Sequence, residues 1–324
     1  MAARGGRPRV LIVVSSGFPE EQLDEIRKST PGAELVAATD DTVTDLAVEI
    51  DALIGCPRRA FTAELLVRAG ESLRWVHGSG AGVEEFLIPE FVNSEITFTN
   101  GKVIQGPEVS DHAMALLLAL ARNLHLVIRG ESPKAMPRPI ELRGKNALVV
   151  GLGGVGLLIA EKASAFGMNV SGVDHGNLPP MLSFLEQVYR PEDLDKALPG
   201  ADAVLVAAPR TEITRGIFGA EQFKLMKRSA YFVNVSRGAL VKTDDLTEAL
   251  RQGLIAGAGL DVTDPEPLPD DHPLRGFSNV IVSPHIAGLS EHNRRRAFDL
   301  IKTNIDQFVR GLPLVNTVDK KLGY

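Results

Sequence analysis

The sequence has only one cysteine, Cys56, in 324 residues, so no disulfide bond can form within the chain. A single thiol also excludes a cysteine-based zinc cluster and is typical of a protein from a reducing cytosol. The histidines form neither an HxH nor an HExxH motif, so we expect no metal site. A GxSxG motif is absent as well, which argues against a serine hydrolase of the α/β class.

The sequence also lacks a long hydrophobic run and an extended basic face. A membrane-spanning helix needs about 20 apolar residues. The first apolar run, 10–14, is far shorter and is predicted to be a buried strand rather than the core of a signal peptide. Net charge is −6, and the one notable basic run, 294–296, has helical spacing typical of a solvated face. We therefore expect a cytoplasmic protein that binds neither nucleic acid nor a membrane.

What the sequence does contain is a repeated alternation of short apolar segments and segments with helical spacing. This pattern is typical of βα units and parallel sheets, and the length predicts two domains. We predict strands at 9–14, 34–37, 52–55, 75–77, 97–99, 146–150, 169–173, 203–207, 231–234, 256–260 and 279–282. We predict helices at 19–28, 62–69, 110–125, 155–166 and 291–310.

A glycine-rich turn, GLGGVG at 151–156, directly follows one predicted strand and opens a predicted helix. In that setting the first glycine permits a tight turn, the second lets the backbone approach a pyrophosphate, and the third lets helix and strand pack closely. Free N–H groups at the start of the helix would face the phosphates. The motif alone is a weak signal, but its context favours a dinucleotide site formed by Gly151, Gly153, Gly154, Val155 and Gly156.

Asp174 ends the next predicted strand, where a carboxylate can accept hydrogen bonds from ribose hydroxyls and would repel a 2′-phosphate. The residues that follow are His175 and Gly176, so no arginine stands immediately after it. The sequence therefore favours NAD over NADP as the cofactor. An ordinary strand-end aspartate is the alternative interpretation.

Three side chains with complementary chemistry follow predicted strands in the same half of the chain. Arg237 lies in NVSRGAL, Glu266 in DPEPLP and His285 in SPHIAG. Open α/β sheets bind ligands at the carboxyl ends of their strands. A guanidinium can clamp a 2-oxo acid, and an imidazole can give a proton to the alkoxide that hydride transfer leaves. A carboxylate paired with the imidazole would favour its charged form and fix its orientation.

Each of these residues has a simpler interpretation when taken alone. Glu266 would be an exposed loop acid and His285 a structural histidine, so the hypothesis depends on their joint occurrence. Asp261, at the end of the strand before Glu266, is predicted to accept from a nicotinamide carboxamide, with loop capping as the alternative. Four other histidines show no partner pattern: His112, His125, His272 and His292.

These segments, together with AAPRTEITRGIF and GSGAGV at 78–83, extend over nearly the whole chain. They resemble the D-isomer-specific 2-hydroxyacid dehydrogenases, which include glyoxylate/hydroxypyruvate reductases, phosphoglycerate dehydrogenases and D-lactate dehydrogenases. The resemblance implies an NAD(P)-dependent oxidoreductase that interconverts a small 2-oxo acid and a D-2-hydroxy acid. It implies Arg237 as the substrate clamp, His285 as the proton donor and acceptor, and Glu266 as the partner of His285.

The resemblance further implies an α/β fold of two Rossmann-like domains with parallel sheets and a cleft between them. A dinucleotide-binding domain, 104–286, would be inserted in a discontinuous flavodoxin-like substrate domain formed by 1–103 and completed by 287–324. Two chains would form a homodimer around the nucleotide-binding domains. The implied substrate contacts are the backbone amides of Gly80, Ala81 and Gly82, and the implied cofactor-lining residues are Pro209, Val235 and Asp261.

The sequence departs from the family pattern in places. Glu84 stands where an aspartate is usual, and the proline-rich segment 129–143 is shorter than usual and lacks a tryptophan. In the family this segment reaches across the dimer, so the dimer contacts stay open. We interpret Cys56 as a strand-end cysteine rather than a residue of the cleft.

A function of another class is open to the same fold. A corepressor-like protein would use NAD(H) binding to control a partner, and such relatives retain the three site residues. They carry long extensions, whereas this sequence ends at Tyr324, so an enzyme is favoured. Formate dehydrogenase is disfavoured because Glu266 stands where that enzyme has a glutamine.

Overall fold

The computed structural model describes residues 6–14, 20–134, 136–176 and 182–324. The chain divides into two compact units. The first consists of the residues up to Ile104 together with Ser290–Tyr324, and the second of Gln105–Leu289. The sequence places the corresponding boundaries after residues 103 and 286.

The first unit is built on a parallel sheet with the strand order β2-β1-β3-β4-β5 in its described part, the order of flavodoxin-like folds. The strands are β1 (Arg9–Val13), β2 (Glu34–Ala38), β3 (Ala52–Ile54), β4 (Trp75–Gly78) and β5 (Thr97–Asn100). The helices are α1 (Glu20–Ser29), α2 (Val43–Leu46), α3 (Ala63–Ala69), α4 (Pro89–Val92) and, late in the chain, α12 (Asn293–Val309).

Strand β1 shows why this sheet is buried on both faces. Its side chains alternate between two hydrophobic clusters, with Val10 and Ile12 in one and Leu11 and Val13 in the other. Phe298 of α12 packs in the cluster of Val10 and Ile12. Helices therefore cover both faces, which explains the continuous apolar run in the sequence of β1.

The second unit contains a parallel sheet whose described strands have the order β12-β11-β10-β9-β6-β7-β8. This is the dinucleotide-binding order with one strand added at the end. The strands are β6 (Asn146–Val150), β7 (Asn169–Val173), β8 (Gln187–Tyr189), β9 (Ala203–Val206), β10 (Tyr231–Asn234), β11 (Gly257–Leu260) and β12 (Val280–Val282). The helices are α5 (Gly106–Ala121), α6 (Leu124–Ile128), α7 (Gly154–Ala165), α8 (Leu194–Ala197), α9 (Ala220–Leu225), α10 (Thr243–Arg251) and α11 (Pro273–Gly276).

The register of this sheet aligns the carboxyl ends of neighbouring strands. Asn234, the last residue of β10, pairs with Leu260 of β11, which pairs with Val282 of β12. On the other side Val206 of β9 pairs with Val150 of β6, and Val150 pairs with Val173 of β7. The loops that follow these strands therefore start side by side along one edge.

Several elements differ from the sequence prediction: the helices α2, α4 and α8–α11 are not predicted, and the predicted helix 110–125 is divided into α5 and α6. Strand β8 is not predicted, because Gln187–Tyr189 is three residues long and its first two residues are exposed. Helix α5 begins at Gly106 rather than residue 110, since a proline in the first turn is compatible with a helix start. Among the described helices, none has the length and apolar character that a membrane span requires.

Two titratable groups of the first unit are buried. Burial raises the pKa of Cys56, which is 4% exposed, to about 12, so its thiol stays protonated at neutral pH. Burial lowers the pKa of His77 in β4 to about 4. The His77 Nδ1 lies 2.8 Å from the Thr99 hydroxyl, which also accepts a hydrogen bond from the indole N–H of Trp75. The hydroxyl hydrogen is then available to Nδ1 of a neutral ring.

We predict that His77 makes the first unit acid-sensitive. In the unfolded chain a histidine takes up a proton near pH 6.5. Because the pKa is lower in the folded chain, stability is complete above that pH and falls as the pH drops from about 6.5 towards 4. Between about pH 7.5 and pH 5 the loss from this residue is about 2 kcal/mol. Urea unfolding, followed by the fluorescence of Trp75, the only tryptophan of the sequence, measures the free energy of unfolding of this unit at each pH.

The control for this prediction is a pair of variants of the same unit. His77→Gln removes the titrating group, so its unfolding free energy is expected to depend less on pH. His292→Gln changes an exposed histidine, whose side chain is 72% accessible, and is expected to keep the wild-type pH dependence. Equal pH dependence in wild type and His77→Gln would contradict the prediction.

Candidate active site

The loop after β10 carries Arg237 and is held by a buried side chain of the strand itself. Asn234 is fully buried, and its amide nitrogen donates to the Arg237 carbonyl at 3.0 Å. Its amide oxygen accepts from both the backbone N–H and the hydroxyl of Ser236. The Arg237 guanidinium, in a half-buried side chain, donates to the Ser236 carbonyl at 2.8 Å. The turn that presents Arg237 is therefore fixed by its own strand.

Gly238, directly after Arg237, brings this loop against the loop that follows β11. A Cβ atom at position 238 would collide with the carbonyl group of Thr263, so only glycine permits this approach. The hydroxyl of Thr243, in the first turn of α10, donates to the Asp264 carbonyl at 2.5 Å. A close backbone approach at Gly238 and a side-chain hydrogen bond from Thr243 thus pack the segment that begins with Arg237 against the loop with Glu266.

His285 and Glu266 form a hydrogen-bonded pair. The His285 Nδ1 lies 2.6 Å from Glu266 Oε1, and both side chains are partly exposed, at 48% and 41%. The residues come from loops after adjacent strands, β12 and β11, although 19 positions separate them. A carboxylate on Nδ1 holds the ring in one orientation and leaves Nε2 as the nitrogen that can exchange a proton with a ligand.

The loop with His285 is held by the carboxylate of Asp261. The side chain of Asp261 is 1% exposed and accepts the backbone N–H groups of Ile286 and Ala287, each at 3.0 Å, and the hydroxyl of Ser283 at 2.6 Å. The backbone N–H of His285 donates to the Asp261 carbonyl at 2.9 Å. His285 itself has a left-handed backbone, φ 54°, which these bonds stabilise.

His112 of α5 is a member of this network that the sequence does not reveal. Its Nε2 lies 2.8 Å from the Ser283 hydroxyl and 3.4 Å from Asp261 Oδ1. The sequence shows no partner pattern for His112, and the structure supplies Ser283 and Asp261 as its partners. The partners lie 149 and 171 residues away, and no local motif points to either of them.

The glycine turn after β6 has the geometry that a dinucleotide requires. Gly151 has φ 91°, and a Cβ there would lie 2.5 Å from the backbone of Ala208. A Cβ on Gly156 would collide with the Gly151 carbonyl, so this glycine allows α7 to approach the strand. A Cβ on Gly153 would meet no protein atom within 4 Å. The open side of Gly153 and the N-terminus of the 12-residue helix α7 therefore fit a pyrophosphate.

Asp174 follows β7 and points its carboxylate at this turn. Its Oδ2 accepts the backbone N–H of Leu152 at 2.8 Å, and its Oδ1 accepts that of Gly176 at 3.3 Å. The carboxylate is therefore oriented beside the glycine turn, where a ribose can donate its hydroxyls to the remaining lone pairs.

The remaining predicted residues follow strands in the same way. Val235 directly follows β10, and its N–H donates to the Val206 carbonyl at 3.3 Å. Pro209 lies just past β9, and its carbonyl accepts a hydrogen bond from the Thr214 hydroxyl at 2.6 Å. In the first unit, the loop 80–82 follows β4, and the Asn100 side chain and Gly101 N–H donate to the carbonyls of Ala81 and Gly80. The described residues contain no group of three or more His, Cys, Asp or Glu side chains that could hold a metal ion.

The chain is similar to known proteins over nearly its whole length. Residues 114–287 match the NAD binding domain of the D-isomer specific 2-hydroxyacid dehydrogenases. The glyoxylate reductase of Korarchaeum cryptofilum is 32% identical over 330 residues, which cover 98% of this chain and 97% of that protein. The D-3-phosphoglycerate dehydrogenase of Archaeoglobus fulgidus is 32% identical over 318 residues, covering 95% of this chain but only 59% of the relative.

A solved structure shows the same fold. The D-isomer specific 2-hydroxyacid dehydrogenase from Xanthobacter autotrophicus Py2, crystallised in complex with NADPH and MES, has a TM-score of 0.83 to this chain at 26% identity. The similarity covers 98% of this chain and all of that one. The sequence motifs, the two parallel sheets and these relatives lead to one conclusion: the chain belongs to the D-isomer specific 2-hydroxyacid dehydrogenases, which are NAD(P)-dependent oxidoreductases.

Proposed function

We propose that this protein reduces a small 2-oxo acid to the D-2-hydroxy acid, and catalyses the reverse reaction, with Arg237, Glu266 and His285 as its catalytic residues. The observation that carries the proposal is the hydrogen bond between Glu266 and His285 beside the loop of Arg237. Loops along the same sheet edge hold the glycine turn and Asp174. The edge thus combines residues suited to a dinucleotide with residues suited to an oxo acid.

The nicotinamide cofactor supplies the hydride when it is bound. His285 gives a proton from Nε2 to the substrate oxygen in the reduction and takes it back in the oxidation. Glu266 accepts from Nδ1, holds the ring in place and stabilises its charged form. Asp261 acts through His285, because its hydrogen bonds to the backbone of Ile286 and Ala287 hold the loop that carries His285.

Arg237 binds the substrate through its guanidinium, whose rigid donor fork matches a carboxylate or a carboxylate with its neighbouring carbonyl oxygen. Two bonds support this role: Asn234 holds the backbone of Arg237, and the Ser236 carbonyl accepts one N–H of the guanidinium, which orients it before substrate arrives. We also propose that the backbone amides of Gly80, Ala81 and Gly82 bind the substrate carboxylate. The position of this loop after the carboxyl end of β4 supports that assignment.

For the cofactor we propose NAD, bound by its pyrophosphate at Gly151, Gly153, Gly154, Val155 and Gly156 and by its adenosine ribose at Asp174. The orientation of Asp174 towards Leu152 supports this preference. Pro209, Val235 and Asp261 are the proposed residues along the nicotinamide half. The contacts of Asp261 with its own loops add a positioning role to that assignment.

We further propose that two copies of the chain associate through the second unit. Helix α6 presents three apolar side chains at helical spacing, Leu124, Val127 and Ile128, which are 49%, 59% and 85% exposed. An exposed apolar face of this kind is stabilised when it is covered by another surface. A second copy offers the same face about a twofold axis.

The first prediction concerns proton transfer. His285→Ala is expected to lower kcat for oxo-acid reduction by roughly 10²-fold to 10⁴-fold, because the alkoxide loses its proton donor. Steady-state kinetics with glyoxylate, hydroxypyruvate, pyruvate and phenylpyruvate measure the loss. Titration of the variant with NADH is expected to show binding close to that of the wild type, and His292→Ala serves as the control for histidine removal. Wild-type turnover in His285→Ala would rule out this role.

The second prediction concerns substrate binding. Arg237→Lys is expected to raise KM for the oxo acid by roughly 10-fold to 100-fold, because an ammonium group cannot reproduce two parallel hydrogen bonds. The dissociation constant for NADH is expected to stay unchanged. Arg228→Lys is the matched control, since this exposed arginine lies before β10, at the opposite edge of the sheet. A variant with unchanged KM and kcat would exclude Arg237 as the clamp.

The third prediction concerns assembly. Ile128→Asp is expected to shift the chain from dimer to monomer, because a charge would be desolvated in the covered face. Light scattering coupled to size-exclusion chromatography gives the mass of each species. Val67→Asp is the control, as Val67 is 80% exposed on α3 of the first unit. A monomeric wild-type protein would contradict the proposed association.

A further inference from the structure

Arg190 lies next to Asp174 across two neighbouring strands, although 16 residues separate them in the sequence. Val173, the last residue of β7, pairs with Tyr189, the last residue of β8. The backbone N–H of Asp174 donates to the Tyr189 carbonyl at 3.0 Å. Asp174 and Arg190 are therefore the first residues past the ends of two paired strands, at the same edge of the sheet.

The guanidinium of Arg190 reaches over the residues that follow Asp174. A Cβ at Gly176 would lie 2.5 Å from an Arg190 terminal nitrogen and 3.5 Å from its guanidinium carbon. Gly176 has φ 94° and no side chain, which leaves this space to the arginine. The positive charge thus stands within a few ångströms of the backbone that presents the Asp174 carboxylate.

This guanidinium and the Asp174 carboxylate do not neutralise each other. The Asp174 oxygens are engaged with the backbone N–H groups of Leu152 and Gly176. Within the described ranges no ion pair or side-chain hydrogen bond occupies the exposed guanidinium of Arg190. One edge of the glycine turn therefore offers an acceptor for ribose hydroxyls and, beside it, a donor fork that no described residue occupies.

NADH and NADPH differ only by a phosphate on the ribose hydroxyl that an acidic residue at this position would bind. An acidic residue alone repels that phosphate, whereas a nearby arginine accommodates it. A guanidinium pairs with phosphate oxygens through parallel, charge-assisted hydrogen bonds. The charge on Arg190 would offset the repulsion by Asp174.

We propose that Arg190 binds the 2′-phosphate of NADPH, so that the site accepts NADPH as well as NADH although an aspartate, Asp174, stands at the ribose. This inference rests on the proposed function. It also changes the conclusion drawn from the residues after Asp174, since the arginine comes from the neighbouring strand rather than from the same loop.

Arg190→Ala tests the proposal through the binding of the two coenzymes, without substrate. Titration followed by nicotinamide fluorescence gives the dissociation constants of NADPH and NADH. The variant is expected to raise the dissociation constant of NADPH by about tenfold or more, because a charge-assisted contact is lost. The dissociation constant of NADH is expected to change by less than about twofold. Arg190→Lys keeps the charge without the fork, and its affinity for NADPH is expected to lie between those of the wild type and Arg190→Ala. Arg228→Ala, at the opposite sheet edge, is the control and is expected to leave both constants unchanged.

The ionic strength provides a second measurement on the same proteins. Because the guanidinium is exposed, salt is expected to weaken NADPH binding more than NADH binding in the wild type, and this difference is expected to shrink in Arg190→Ala. Equal weakening of both coenzymes by the variant, or no weakening of either, would overturn the role of Arg190. So would a wild type that binds NADH but not NADPH. A chain that binds neither coenzyme and turns over no oxo acid would instead refute the proposed function, and this inference with it.

Discussion

The buried carboxylate of Asp261 holds the loop that carries His285, and the geometry of the candidate active site depends on this interaction. A charge that is 1% exposed is costly unless hydrogen bonds replace its water. Here two backbone N–H groups and the Ser283 hydroxyl replace it, and His112 approaches from α5. The same bonds that stabilise the carboxylate stabilise the left-handed backbone of His285. The burial of the Asp261 carboxylate and the placement of the His285 imidazole are therefore coupled.

Around this loop the site is assembled by the register of a parallel sheet. Strands β10, β11 and β12 end level with one another, and the loops after them carry Arg237, Glu266 and His285. Strands β6 and β7 end at the same edge and carry the glycine turn and Asp174. Gly238 and Gly156 let these segments approach more closely than any residue with a side chain allows. Rigid strands thus position side chains that are far apart in the sequence.

Most strands of both sheets were predictable because each is a short apolar run bounded by turn residues. Strand β8 was not, because it is the outermost strand of its sheet, its residues are mostly exposed, and they show no pattern of buried side chains. This affects the candidate site, because without β8 no position can be predicted for Arg190. The residues directly after Asp174 in the sequence include no arginine. His112 was missed for a related reason, since its partners follow β11 and β12, far along the chain.

The sequence by itself determined the α/β architecture and the candidate catalytic residues, and its motifs carried the resemblance to the family. These follow from local patterns, namely glycine spacing, strand-end polar residues and apolar periodicity, which act over a few residues. Only the tertiary structure decided that Asp261 holds the loop of His285, that His112 joins this network, and that Arg190 stands beside Asp174. Those contacts depend on strand order and register, which bring together side chains that no local pattern relates.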